Sequence, residues 1–333
     1  MRDVPLPSEF SDLAGKVQYV QQKSRLEYSS TCPKCGGSVH PDGELPNRFV
    51  MLIRSNTTGG SLALCRKCGY KWWPGQTDGR DLDPAVMRLL EQQAQVYRQQ
   101  TEEQRAAKLA RFTTRELWLE LNRRMEEAQR AWWRTQGIDD DWQNYLKLGY
   151  TPDKPYLSGG ELLHSPAYTI PYFHQGWDFR TIQYRLTDPA NPKDRYRFEA
   201  DLSSTYYMVT PSEPVGDVAI VCEGAKKAIV AKILGDYPAT YLAIPSSGDW
   251  QRCGILEAVK GCGRVYILLD PDTWVKPKEA GANWRPHPER FAEAVGKSAR
   301  TVEIATKVDD GFLHYGLDAD GFQAALRCAR RLN

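Results

Sequence analysis

The residues best suited to chemistry are carboxylates that end two apolar runs. Val218-Ala219-Ile220-Val221-Cys222 leads into Glu223-Gly224, and Val265-Tyr266-Ile267-Leu268-Leu269 leads into Asp270-Pro271-Asp272. Short continuous runs rich in β-branched residues read as strands covered on both faces, as in a parallel sheet. In such sheets the functional crevice lies at the carboxyl ends of the strands, so Glu223, Asp270 and Asp272 are expected to converge. Carboxylates gathered there repel one another unless a hard cation neutralises them. Mg²⁺ takes oxygen ligands and keeps waters that phosphate can replace. A single acid after a strand is more often a helix cap or a loop acid. Glu-Gly after one strand and Asp-x-Asp after the next favour Mg²⁺ or Mn²⁺.

A second ligand set lies near the N-terminus. Cys32-Pro33-Lys34-Cys35-Gly36-Gly37 and Cys65-Arg66-Lys67-Cys68-Gly69-Tyr70 each form a knuckle in which a tight turn lets two thiolates reach one ion. Phe49 to Ile53 and Ser61 to Leu64 between them read as a hairpin, which predicts a ribbon with Zn²⁺ on Cys32, Cys35, Cys65 and Cys68. His40 is read as a surface residue, and Cys222, Cys253, Cys262 and Cys328 as core thiols. Zinc would fold a segment too small to fold alone. The interleaving of Arg48, Arg54, Arg66, Lys67 and Lys71 with Phe49, Tyr70, Trp72 and Trp73 also suits a single-stranded template.

Other elements must position these groups. Glu9 to Lys23 is read as a short helix. From Asp83-Pro84 to about Trp133 no proline or glycine interrupts a Glu-, Gln-, Arg- and Ala-rich stretch, which predicts two helices with a break near Thr113. Its mixed charges suit a spacer. Tyr168 to Phe173 and Asp178 to Leu186 read as a hairpin, followed by a strand at Arg195-Tyr196-Arg197-Phe198. Arg185, Arg195 and Arg197 are candidates for nucleotide or template phosphates, since guanidinium groups hold what a metal leaves exposed. The competing reading pairs them with Asp188, Asp194, Glu199 and Asp201. Lys226 and Lys227 open a helix predicted over Lys226 to Leu234, where anions are attracted. Further helices are expected near Arg252 to Val259, Glu289 to Ser298 and Gly321 to Leu332. The last strand is placed at Thr301 to Ala305. At its end, Asp309 and Asp310 are left open as further acids.

The expected fold class is α/β multidomain. Residues 1–80 hold the ribbon, 81–133 a helical connector, 134–216 a mixed α+β lobe, 217–315 a parallel sheet with helices on both faces, and 316–333 a final helix. No run approaches the roughly 18 apolar residues of a membrane span and no signal peptide opens the chain, so a cytoplasmic protein is expected. A net charge of +2 means that any basic surface must be local.

Glu223-Gly224 and Asp270-Pro271-Asp272 resemble the hallmarks of the Toprim domain, shared by DnaG-type primases, type IA and II topoisomerases, OLD-family nucleases and RecR-type recombination proteins. Trp132 to Ile138 with Leu148-Gly149-Tyr150 resembles the start of the DnaG-type catalytic core, and Lys226 resembles the lysine after Glu-Gly in phage and plasmid primase-like proteins. The order of zinc ribbon, connector, lobe and Toprim is similar to that of DnaG-type and phage primases. The resemblance implies metal-dependent synthesis of short RNA primers, or DNA primers, from nucleoside triphosphates on single-stranded DNA. Glu223, Asp270 and Asp272 would be catalytic. No Walker A lysine motif appears, so a helicase is expected to be a separate partner, and the compact length suggests a phage or mobile-element enzyme. The alternatives are a RecR-like DNA-binding mediator and a Toprim nuclease.

Overall fold

A computed structural model describes residues 5–15, 17, 20–24, 27–30, 32–34, 49–52, 62–65, 71–72, 84–159, 161–200, 202, 204–277 and 284–331. The chain divides into two compact units, Met1–Arg98 and Gln99–Asn333.

In the first unit a 3-10 turn, Ser8–Leu13, precedes β1 (Gln21–Ser24), β2 (Glu27–Ser30), β3 (Phe49–Leu52), β4 (Leu62–Cys65) and β5 (Lys71–Trp72). The strands form one antiparallel meander in chain order. Glu9 to Lys23 is therefore not one helix. Phe10, Leu13 and Val20 turn inward onto Met51, Ala63 and Trp72, and burying them outweighs local helix propensity. The two strands expected between the knuckles are present as β3 and β4. Ser30 and Cys65 are both register partners of Phe49, so β2 and β4 finish at the same end of the sheet on either side of β3.

Helix α1 (Pro84–Arg115) is followed in the second unit by α2 (Leu117–Arg123), α3 (Glu127–Thr135) and α4 (Asp140–Tyr145). The connector is thus three helices rather than two. Glu116 adopts left-handed backbone (φ 46) at the first break, and Glu126 and Gln129 build a capping box at the second. Nor is the end of α1 a bare spacer, since Phe112 stacks on Phe179 at 5.7 Å.

The lobe is a four-stranded antiparallel meander of β6 (Gly149–Ser158), β7 (Glu161–His174), β8 (Asp178–Leu186) and β9 (Tyr196–Phe198). The β6 half of the long first hairpin was hidden by Pro152 and Pro155. Prolines are tolerated here because β6 is an edge strand with a bulge between Thr151 and Lys154. Gly149 meets α2 so closely that a Cβ would stand 2.7 Å from the Leu121 carbonyl carbon.

After β10 (Tyr207–Met208) come β11 (Val218–Glu223), α5 (Ala225–Gly235), β12 (Thr240–Ile244), α6 (Ile255–Ala258), β13 (Arg264–Leu268), α7 (His287–Val295), β14 (Ala299–Thr301), α8 (Val308–His314) and α9 (Ala319–Arg327). The sheet order is β10-β12-β11-β13-β14, all parallel except β10. Period-two alternation gives it two apolar faces. Ile220, Cys222, Tyr241, Ala243, Tyr266 and Leu268 pack with α5 and α9. Ala219, Val221, Leu242, Ile244, Val265 and Ile267 pack with α6 and α7. The last strand is shorter and earlier than Thr301 to Ala305 because the chain turns into α8, which packs on α5. Among the described residues no helix is long and apolar enough to cross a membrane.

A charged knot joins α1 to the lobe. The Glu199 carboxylate accepts from Lys108 at 2.8 Å, Lys154 at 2.7 Å and the Tyr184 hydroxyl at 2.8 Å. Burial alone would raise its pKa, but these donors together hold it below the ordinary carboxylate value. A depressed carboxylate contributes stability above its unfolded pKa and loses it as pH falls through the folded one. Glu199→Gln is expected to destabilise the chain by about 1.5–3 kcal/mol at neutral pH, the range for hydrogen bonds to a charged group. The loss should shrink as melts are repeated below pH of about 4, the ordinary carboxylate range. A loss of equal size at both pH values would show that packing, not charge, is responsible.

Candidate active site

The strand-to-helix turn at the end of β11 sets the first acid. Gly224 caps α5 with φ 84, a conformation that glycine adopts without steric cost, and its N–H donates to the Ile244 carbonyl at 2.8 Å. This ties the ends of β11 and β12 and leaves Glu223 on the rim of a cavity of about 230 Å³. Asp270 follows β13 and opens a 3-10 turn, Pro271–Trp274, and its own backbone carbonyl accepts from Thr273. Asp309 enters from the first turn of α8 and is 3% exposed.

Each of these acids except Glu223 meets an ammonium group. Lys227 Nζ lies 2.6 Å from Asp270 Oδ2, with Lys307 Nζ at 3.4 Å from the same oxygen. Lys226 Nζ lies 2.8 Å from Asp309 Oδ2 and donates to Gln136 Oε1 at 2.8 Å. Burial would lower the Lys227 pKa, but attraction and hydrogen bonding to Asp270, then Glu223 and Asp309, raise it above its ordinary value. Glu223 is raised too, by burial first and by Asp270 second, against the opposing pull of Lys227 and the Ser247 backbone N–H.

The structure brings Glu223, Asp270, Lys226 and Lys227 into one cavity and leaves other predicted residues outside it. Asp272 is exposed on the 3-10 turn and is not part of the lining. Arg185 stacks over Trp132, 4.6 Å from its centroid. Arg197 is paired with Asp194, so the local ion-pair reading holds for it. Arg195 is exposed and precedes β9. The lobe offers the cavity Gln183 and Tyr196 instead, from the face of β8 and β9 opposite Tyr184 and Arg197. Lys307 and Gln136 were not singled out in the sequence. Lys307 stands beside the acids already under question, but nothing local marks Gln136.

A divalent cation of Mg²⁺ type needs oxygen donors at about 2.0–2.1 Å in near-octahedral array. Among the described residues no three Asp, Glu, His or Cys side chains already converge in that way. The donor chemistry nevertheless fits. Glu223 Oε2 and Asp309 Oδ1 are buried without a hydrogen-bond partner, and Asp270 already carries cationic partners. For zinc, Cys32 is buried and its sulfur accepts the Lys34 N–H at 3.4 Å, while the backbone of Cys65 lies at the same end of the sheet. Cys35 and Cys68 lie outside the described residues, as do Arg48, Arg54, Arg66, Lys67, Tyr70 and Trp73.

No protein-family model matches the sequence, and no curated protein matches it. Several solved structures are similar to the chain over more than half of its length. The zinc-binding and RNA polymerase domains of Aquifex aeolicus primase share 14% identity at a TM-score of 0.49, covering 97% of this chain and 84% of that one. The DnaG catalytic core gives 12%, 0.49, 67% and 80%. The primase fragment of the bacteriophage T7 primase-helicase gives 11%, 0.40, 58% and 70%.

The raised pKa of Glu223 has a measurable sign. A carboxylate raised in the folded state contributes stability below its unfolded pKa and loses it as pH rises through the folded value. Glu223→Gln is therefore expected to raise the melting temperature in EDTA at pH 7, with the gain vanishing below the ordinary value of 4.5. Added Mg²⁺ should stabilise the parent chain more than the variant. A variant less stable than the parent at pH 7 in EDTA would contradict the assignment.

Proposed function

We propose that the chain is a DNA primase of the Toprim type, a nucleotidyltransferase that makes short primers from nucleoside triphosphates on single-stranded DNA. The observation that carries this reading is the cavity at the strand ends. It combines Glu223, Asp270 and Asp309 with Lys226, Lys227 and Lys307, and Gln183 and Tyr196 of the lobe form part of its wall. Acids that would hold a cation stand beside ammonium groups that would hold phosphate, which is the pairing nucleotidyl transfer needs. The order of cysteine knuckles, lobe and acidic sheet along the sequence supports the same reading.

In this reading Glu223 and Asp270 would hold Mg²⁺ or Mn²⁺ with Asp309 beside them, while Asp272, exposed on the 3-10 turn, stands outside the lining. A cation held by Glu223 and Asp270 would supply neutralisation of the leaving pyrophosphate and activation of the primer 3′-hydroxyl. Lys227 and Lys307 supply positive charge to triphosphate oxygens, and Lys226 holds Asp309 and Gln136 in place. Tyr196, 44% exposed, offers an aromatic face to a base entering the cavity. Arg185, on the same face of β8 as Gln183 but stacked on Trp132, and Arg195 and Arg197 would contact template outside the cavity. Cys32, Cys35, Cys65 and Cys68 would hold structural zinc.

Primer synthesis tests the proposal directly. Purified protein, mixed-sequence single-stranded DNA, labelled nucleoside triphosphates and Mg²⁺ or Mn²⁺ should give short labelled products, reduced on the order of 10²-fold or more in Asp270→Ala. Omitting ribonucleotides or deoxyribonucleotides in turn identifies the primer. Shortened DNA without synthesis would replace this reading with a nuclease, and DNA binding without chemistry would replace it with a RecR-like mediator. Metal analysis should find about one zinc per chain, lost together with the cooperative melt of the first unit in Cys32→Ser. Zinc content unchanged in that variant would remove the ribbon from the proposal.

A further inference from the structure

A second cleft, of about 490 Å³, shares no lining residue with the acid cavity. Arginines line it from three separate elements: Arg105 on α1, Arg180 on β8 and Arg252 in the turn before α6. Its floor is held by hydrogen bonds. The Tyr206 N–H donates to the Cys253 carbonyl at 3.1 Å, and Thr205 Oγ1 donates to the same oxygen at 3.2 Å. The Tyr206 ring stacks on His174 with centroids 3.9 Å apart and planes 14° from parallel. Gly254 has φ 82, and this left-handed turn carries the chain past the edge of Tyr206.

Charge in the cleft is dominated by the arginines. The acid in its lining, Glu257, faces Lys260 at 3.3 Å. Arg180 and Arg252 make exposed local pairs with Asp178 at 3.0 Å and Asp249 at 3.4 Å, and such pairs exchange readily for a better anion. His174 responds to this environment: burial first, and Arg180 second, push its pKa down to about 4. Cys253 and Ala258 add an apolar wall beside the guanidinium groups. A cleft of this size lined by three arginines and an apolar side suits a ligand that is phosphate at one end and ring at the other.

We propose that this cleft binds a nucleoside polyphosphate through Arg105, Arg180 and Arg252, without a divalent cation. The inference does not depend on the reading of the acid cavity, where triphosphate binding would require metal. Equilibrium dialysis of GTP and ATP against the full chain in EDTA separates the two. Binding is expected in EDTA, weakened about tenfold or more in the Arg105→Ala/Arg252→Ala double variant and retained in Asp270→Asn. Both arginine side chains are exposed, and a melting curve of the double variant checks that it folds. Absence of binding in EDTA, binding unaffected in the double variant, or binding lost in Asp270→Asn would each overturn the proposal. So would an oligo-dT strand that binds through these arginines where the mononucleotides do not, since the cleft would then be a strand contact.

Discussion

Carboxylates at the ends of neighbouring parallel strands cannot be left facing one another. Two unit charges 4 Å apart repel by about 4 kcal/mol at an effective dielectric near 20, a large part of the stability of an ordinary domain. Here the conflict is met by the ion pairs of Lys227 and Lys307 with Asp270 and of Lys226 with Asp309. The arrangement explains several other features. α5 must begin immediately after β11 so that its first turn delivers Lys226 and Lys227, and Gly224 permits that turn. α8 must pack on α5 to bring Asp309 and Lys307 alongside.

Packing holds this arrangement from both sides. The apolar residues of β11, β12 and β13 alternate between two cores, one under α5 and α9 and one under α6 and α7. The lobe is joined to the first of these cores through Tyr172, whose ring lies 4.9 Å from that of Tyr207 on β10. Gly235 allows α5 to approach α9 so closely that a Cβ there would fall 2.6 Å from the ring of Phe322. The acid cavity is therefore bounded by elements whose positions are set by side-chain volume.

What was legible in the sequence was whatever depends on local pattern. The apolar runs of β11 and β13, Glu223 and Asp270 after them, and the helix bearing Lys226 and Lys227 lie where the sequence places them, whereas Asp272 does not join the cavity. What was not legible depends on register and on distant partners. A strand starting at Arg195 would place Arg195 and Arg197 on one face, but β9 begins at Tyr196, and Arg197 turns to Asp194 while Tyr196 lines the cavity. β6 was obscured because its prolines are acceptable only at an edge, and edge position is a property of the assembled sheet. Gln136 reaches Lys226 across a sequence separation that no motif spans.

The matching of ammonium groups to carboxylates in the cavity has a kinetic consequence. Three acids and three lysines sum to no formal charge, so the cavity has little far field with which to draw ions of either sign. Association there is governed by diffusion and local exchange, and ionic strength should act on the bound geometry more than on the encounter. Discrimination falls to the last few ångströms, where an arriving cation finds Glu223 Oε2 and Asp309 Oδ1 unpartnered but must displace Lys227 to reach Asp270 Oδ2.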